Sequence, residues 1–418
     1  MRPTRSVLAM LAVAGSLLVT PSNADGPAVV RRVVGSLTGT VTRSYTVPRG
    51  ALLAGVTWRS GSLTAEVLRG SVWEPVERGE DEPGGKPGTE PFGVGRQGFV
   101  VLRMAGRADG VAVEFAGDSP SSSPAAVAPR HVPRLGDVVT RRGWGADERL
   151  RSGRVKYTSV SAVIVHHTVT PNDYTREEAP SYVRAVYAYH TRSRGWSDIG
   201  YNLLVDKYGT VYEGRYGDFT RGVVGSHTAG YNAHTIGVSL LGNYEEAALP
   251  APVRDALGRA GAWASDQWRF DPRTTVRLQS RTVSRVSGHR DLGTTACPGR
   301  YAYAALPDVR KDAWHRLAPV FGAVDVSGAP VHAPKPVTVR GVLDKPAYWT
   351  ATITVRDTTL AVARGHGREV SVSWDGRLST GLPAPPGSYD YLLTADDRVH
   401  GHSEPRSGTF EVGLPTLL

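Results

Sequence analysis

Cys297 is the only cysteine in the chain, so no intrachain disulfide can brace this sequence. A lone thiol in an exported protein is a free group, an intermolecular bridge or a metal ligand. Cys297 lies in the run Ser287-Gly288-His289-Arg290-Asp291-Leu292-Gly293-Thr294-Thr295-Ala296-Cys297-Pro298-Gly299, eight residues after His289. Its glycine- and proline-rich surroundings are unlike those of an ordinary core cysteine. Imidazole and thiolate are both good ligands for a borderline-soft cation such as Zn²⁺. The pair His166-His167 is the best source of a third ligand. It ends the apolar run Ala162-Val163-Ile164-Val165, which reads as a short buried strand delivering a side chain to the edge of a sheet. Two histidines and one cysteine leave a fourth position open to water, the pattern of a catalytic rather than a structural zinc.

The start of the chain points to export. Arg2 and Arg5 precede an apolar segment from Val7 to Val19, and Ser22-Asn23-Ala24 is a small-x-small cleavage site. Residues 1–24 therefore read as a secretory signal peptide. No later stretch approaches the roughly 20 apolar residues that span a bilayer, so no transmembrane segment is expected in the mature chain. A secreted, cell-wall-associated protein is expected. The net charge of +10 fits attraction to an anionic surface, and bacterial wall polymers suit an exported protein better than nucleic acid does.

With 418 residues, two or three folded domains are expected. Residues 25–117 carry β-rich runs at Leu37–Val41, Leu63–Leu68, Phe99–Leu102 and Val111–Phe115, separated by turn-rich segments such as Asp81-Glu82-Pro83-Gly84-Gly85. A small β-sandwich is expected there, with no chemical constellation of its own. Residues 118–135, with Ser119-Pro120-Ser121-Ser122-Ser123-Pro124, read as a linker.

Residues 136–317 mix strands and helices. After the strand that ends at His166-His167, a helix is expected to begin at Pro180, with Val183, Val186, Tyr187 and His190 at helical spacing. A hairpin is expected from Asn202 to Tyr212 around Asp206-Lys207-Tyr208-Gly209. A further strand follows at Ile236–Leu241. Val253, Ala256, Leu257, Ala260, Ala264 and Trp268 then mark one helical face. The expected fold is a mixed α/β sheet covered by helices. Residues 318–418 return to alternating strands at Val337–Val339, Ala351–Val355, Val370–Trp374 and Tyr389–Leu393, read as an Ig-like β-sandwich. The run Trp374-Asp375-Gly376-Arg377 and the later Pro386-Gly387-Ser388-Tyr389 resemble the Ig-like module of flagellar hook-capping proteins, which implies an accessory fold.

In the central segment, Arg142-Gly143-Trp144-Gly145-Ala146, Val165-His166-His167-Thr168, Gly195-Trp196-Ser197-Asp198-Ile199-Gly200-Tyr201-Asn202, Gly209-Thr210-Val211-Tyr212-Glu213-Gly214-Arg215, Gly225-Ser226-His227 and Ser287-Gly288-His289-Arg290-Asp291 occur in order. Together with Thr295, Cys297 and Pro298, this series resembles the bacterial members of the peptidoglycan recognition protein and type 2 N-acetylmuramoyl-L-alanine amidase family. The resemblance covers 136–317 and says nothing of the flanking β-rich parts.

The resemblance implies one Zn²⁺ held by His166, His289 and Cys297, with His167 turned to the opposite face. It implies a catalytic Tyr201 and a catalytic Thr295, and a hydrolysed amide between N-acetylmuramic acid and L-alanine of peptidoglycan. Thr295 departs from relatives that carry lysine at that position, and a second branch of the amidases has Asp in place of Cys. His227 and Asn232 are assigned to contact with the muropeptide, while His190 and His234 are read as structural or exposed. Glu213 is a distant candidate for a general base. The alternative reading is a recognition protein that binds peptidoglycan without cutting it. Non-catalytic members of the family typically lack the cysteine, so Cys297 together with Tyr201 favours the enzyme.

Overall fold

A computed structural model describes residues 29–80, 82–95, 98–118, 127–329, 336–356 and 358–413. The signal-peptide reading of 1–24 falls outside the described residues, as does the whole serine- and proline-rich stretch 119–124 of the linker. No helix among the described residues is long and apolar enough to cross a membrane.

The middle of the chain is built on a seven-stranded mixed sheet. Its spatial order is Val286–Gly288, Ala162–His167, Thr235–Leu240, Leu203–Val205, Val211–Glu213, Gly136–Val139 and Arg130–Val132. The first four run parallel to one another, and Leu203–Val205 pairs antiparallel with Val211–Glu213. All six residues of Ala162–His167 and all six of Thr235–Leu240 are buried, because both faces of the sheet are covered. That burial explains why these strands read as continuous apolar runs rather than alternating ones.

On one face, Val163, Val165, Leu203, Val205 and Val238 pack with the helices Ala251–Trp268 and Arg300–His315. Those two helices approach closely at Gly261, where an added Cβ would lie 3.0 Å from the Cβ of Ala313. On the other face, Leu204 and Tyr212 pack with the helix Ala179–Ala188, whose second residue is Pro180. The hairpin turn sits where expected: Gly209 has φ +81°, and the Asp206 carboxylate accepts the amides of Tyr208 and Thr210. The strand Arg130–Val132 joins this sheet, so the linker ends before residue 130 rather than at 135.

Both flanking parts are all-β, each organised about one very long strand. In the first, Phe99–Gly117 pairs along its length with Val29–Thr46 on one edge, and with Ser60–Arg69 and then Ala51–Thr57 on the other. In the last, Val337–Val355 pairs with Thr358–Trp374 on one edge, and with Phe321–Ser327 and then Gly387–Asp396 on the other. Each is a single hydrogen-bonded sheet bent around its own core, where two separate stacked sheets were expected. The runs Phe99–Leu102 and Val111–Phe115 are two ends of one strand. Gly106 lets the strand pass where a side chain would strike the Ser62 carbonyl at 2.3 Å.

The first β unit is not a separate bead. Its Leu53 and Ala116 share a core with Tyr182, Val183 and Tyr187 of the central helix. Its Asp118 pairs with Arg184 at 2.6 Å.

Candidate functional site

Strand alternation sends neighbouring histidines to opposite faces. His166 projects towards Tyr201, His227 and His289, with ring centroids 5.3, 5.0 and 4.6 Å away. His167 turns into the other face, where its Nδ1 accepts the Tyr244 amide at 3.2 Å. The next strand along, Val286–Gly288, runs parallel and in register with Val163–Val165, so the chain leaves it beside His166. The 3₁₀ turn His289–Asp291 begins there. Asp291 fixes that turn by accepting the Gly288 amide at 2.9 Å and the Tyr303 hydroxyl at 2.6 Å.

The following loop folds back, and the Arg290 amide donates to the Cys297 carbonyl at 2.9 Å. The Cys297 sulfur then lies 3.7 Å from Nδ1 of His166 and accepts the His167 amide at 3.4 Å. Ligand atoms of His166, His289 and Cys297 all fall within 4.8 Å of one another, and all three residues are buried. The structure thus brings together the three residues chosen as metal ligands.

The electrostatics suit a bound cation. Burial drives the His166 pKa well below the ordinary histidine value, and His289, His227 and His167 push it the same way. A neutral imidazole is the form that binds metal. Burial also pushes the Cys297 thiol upward, with Glu77 adding to the effect, so its thiolate needs a positive partner. The donor set of two nitrogens and one sulfur fits zinc.

Tyr201 is buried beside His166. Burial, reinforced by Glu90 and Cys297, raises its phenol well above its ordinary pKa, which keeps it a proton donor. Thr295 is half-buried at the rim; its hydroxyl accepts the Cys297 amide at 3.0 Å and so helps fix the cysteine loop.

His227 and Asn232, expected to meet the muropeptide, lie in different surroundings. Both ring nitrogens of His227 are engaged inside the protein: Nδ1 with His166 Nε2 at 3.0 Å and with Thr228, Nε2 with Thr235 at 3.4 Å. It stands behind His166 and holds that ring in place, the usual role of a hydrogen-bonded neighbour of a metal-binding histidine. Asn232 accepts the His227 and Thr228 amides at 2.7 and 2.9 Å, and it also lines a surface groove with Arg215 and Tyr216. Glu213 accepts the Arg141 amide at 3.0 Å, a structural contact. His234 is exposed.

His190 is buried, stacked on Trp196 at 4.4 Å, and its Nδ1 accepts the Gly200 amide. Burial, with Arg194 and Arg215 nearby, holds its pKa well below 6.5. The unfolded chain therefore takes up a proton near pH 6.5 that the folded chain refuses, so acid favours unfolding. One such proton steepens the loss of stability by about 1.4 kcal/mol per pH unit below that point. A His190→Gln chain is expected to be less stable at pH 7, yet to lose stability more slowly between pH 6.5 and 5. Denaturant melts across that range check this, and parallel slopes for the two chains would refute it.

Sequence reasoning missed the carboxylates that surround the centre, because they come from the first β unit. Glu80 accepts from His289 Nε2 at 2.7 Å. Glu77 accepts the Ala296 amide at 2.6 Å and the Thr295 hydroxyl. Glu90 accepts the Tyr201 hydroxyl at 3.3 Å and the Glu80 amide at 3.2 Å. More than a hundred residues separate each carboxylate from its partner in the central unit, and no local pattern announces the contact. The first β unit, in which the sequence shows no chemical constellation of its own, supplies these three carboxylates to the rim of the centre.

Residues 156–300 match the family described as Amidase_2, N-acetylmuramoyl-L-alanine amidase. The chain is similar to peptidoglycan-recognition protein SC2 of Drosophila simulans, 32% identical over 163 residues that cover 39% of this chain and 80% of that protein. It is also similar to human N-acetylmuramoyl-L-alanine amidase, 35% identical over 172 residues, 39% of this chain and 26% of that one. Among solved structures, Drosophila PGRP-LB is 26% identical, covering 40% of this chain and 91% of that chain with a TM-score of 0.34.

Proposed function

The chain belongs to the peptidoglycan-recognition protein and N-acetylmuramoyl-L-alanine amidase family, and from that premise we propose that it is a secreted, zinc-dependent amidase. In this reading it hydrolyses the amide between N-acetylmuramic acid and L-alanine in peptidoglycan. One observation carries the reading: His166, His289 and Cys297 converge within 4.8 Å beside the buried Tyr201.

Those three residues would hold the zinc, which when bound would supply Lewis acidity and the means to activate a water near neutral pH. The protein's own groups do the rest. His227 fixes the His166 ring through its Nδ1. The Tyr201 phenol, kept protonated by burial, donates to the oxyanion that develops on the scissile carbonyl. Thr295 offers a second hydroxyl at the rim once it is released from Glu77. The excess of arginine in the chain, at a net charge of +10, suits an anionic wall as the place of work.

A Tyr201→Phe chain is expected to keep its zinc and to lose about 10²–10³-fold in kcat, the cost of one lost oxyanion donor. Zinc content and turnover of a soluble muropeptide, measured on the same preparations, check this. A phenylalanine variant with undiminished kcat would remove Tyr201 from the chemistry. Chelation should abolish turnover by the wild-type chain, and added zinc should restore it.

A further inference from the structure

We propose that the acidic strap of the first β unit is a built-in inhibitor that closes the metal centre and must lift before a muropeptide can enter. The proposal rests on the amidase reading above. The strap comprises residues 77–80 and 82–90, which connect the short strand Val72–Val76 to the strand Phe92–Gly93.

An enzyme acting on a cell-wall polymer needs an open centre. Here His166, His289, Cys297 and Tyr201 are all 6% exposed or less. The strap lies directly on two of them, His289 through Glu80 and Tyr201 through Glu90. Its carboxylates take the positions from which polar groups of the centre would otherwise face a substrate: Glu80 on His289, Glu90 on Tyr201, and Glu77 on Thr295 and the Ala296 amide. Every polar group that the proposed chemistry needs at the open side is thereby already satisfied.

The strap is anchored outside the centre as well. Arg194, fully buried, donates to the carbonyls of Glu80, Lys86 and Thr89. The Tyr189 hydroxyl donates to the Thr89 carbonyl at 2.8 Å. Glu82 accepts from Arg215 at 2.8 Å and from the Ser197 amide at 2.9 Å. The fit is close enough to require glycine. A Cβ on Gly79 would lie 2.3 Å from Arg194 Nη1, and one on Gly85 would lie 2.7 Å from the Trp196 ring. Neither glycine has positive φ, so the obstacle to a side chain is neighbouring atoms: the central unit comes nearest, and the strap's own Thr89 and Glu82 carbonyls follow at 2.9 and 3.0 Å.

This arrangement has the logic of an intramolecular pseudosubstrate. Tethering keeps the strap at high effective concentration, so several modest contacts suffice to hold it down. A free muropeptide must compete with it, or cleavage or wall binding must dislodge it.

Because Cys297 is the only thiol in the chain, it reports closure without reference to catalysis. The test compares zinc-free wild type with a Glu80→Ala/Glu82→Ala chain and with a Gly85→Val chain. For each, the rate of Cys297 modification by a bulky maleimide is measured, and then turnover of a soluble muropeptide after zinc loading. Opening the strap is expected to raise the maleimide rate by about tenfold or more in both variants, as local opening becomes easier. Turnover should rise with it.

Unchanged maleimide rates in both variants would overturn the proposal. So would a faster maleimide rate accompanied by lower turnover, which would make the strap a supplier of catalytic groups instead of an inhibitor. Faster maleimide reaction with no hydrolysis by any form would support closure and count against the amidase reading alone. Circular dichroism melts on the same samples separate strap opening from unfolding, and the two unrelated substitutions guard against a defect peculiar to one of them.

Discussion

A Cys297→Ser chain is expected to fold, to lose its zinc, and to show no measurable amide hydrolysis. The thiolate is one of three protein donors that lie within 4.8 Å of one another. Zinc affinities of about 10–16 kcal/mol, shared among three or four ligands, leave about 3–5 kcal/mol to each. Removing the sulfur should therefore weaken zinc binding by about two to four orders of magnitude. The fold should tolerate the change. Serine is smaller than cysteine, and its hydroxyl can still accept the His167 amide that the sulfur accepts at 3.4 Å. A cost below about 1.5 kcal/mol is expected, in the range of ordinary substitutions. Metal content by elemental analysis, paired with a thermal melt in chelator, distinguishes loss of the site from loss of the fold. A serine variant that retained stoichiometric zinc and full turnover would show that the ligand set is wrong.

The largest effect on stability is expected at Arg141. This side chain is buried at the start of the helix Arg141–Trp144. Its Nη1 donates to Asp198 at 3.1 Å and to the Gly214 carbonyl, while Nε and Nη2 reach Glu148 at 2.8 and 3.1 Å. The guanidinium also lies 5.0 Å from the Tyr187 ring centroid. Burial alone would lower its pKa, but Asp198 and Glu148 more than offset that and hold it charged.

Arg141→Met leaves the buried Asp198 carboxylate with only the backbone amides of Ile199 and Tyr216. Removing one partner of a buried pair costs about 3–5 kcal/mol, which for a unit of this size lowers Tm by about 10 °C. The effect should be largely shared with its partner: adding Asp198→Asn should recover part of the loss, since it removes the stranded charge. Denaturant titrations of the four chains of that cycle measure the coupling. A loss below about 1 kcal/mol for Arg141→Met would mean that the pair is no better than an exposed one.

The central unit was legible because its signals are local. Six consecutive buried residues at Ala162–His167, helical spacing from Val253 to Trp268, and a glycine turn at Gly209 each announce their element within a few positions. Cys297 and His289 were legible as ligands for a chemical reason, since a single cysteine near a histidine has few other uses in this setting; the third ligand narrowed only to the pair His166-His167, and the family resemblance chose His166. The role of His227 was not, because a histidine that holds another histidine looks the same in sequence as one that binds substrate. The long strands of the two β units were broken in the reading at glycines such as Gly106, since glycine marks both turns and places where backbones pass closely. The strap was hidden altogether. Glu77, Glu80 and Glu90 sit in a turn-rich acidic stretch of ordinary appearance, and only the packing of the first β unit against the central helix carries them to the centre.

The most direct test of the proposed activity is mass spectrometry of the soluble products released from purified peptidoglycan. The zinc-loaded wild-type chain and the Glu80→Ala/Glu82→Ala chain would be incubated side by side, each with a chelator control. The account predicts intact stem peptides with a free L-alanine amino terminus, released faster by the variant and absent with the chelator. Cuts within the stem peptide, or tight binding to the wall with no bond broken by either chain, would contradict it.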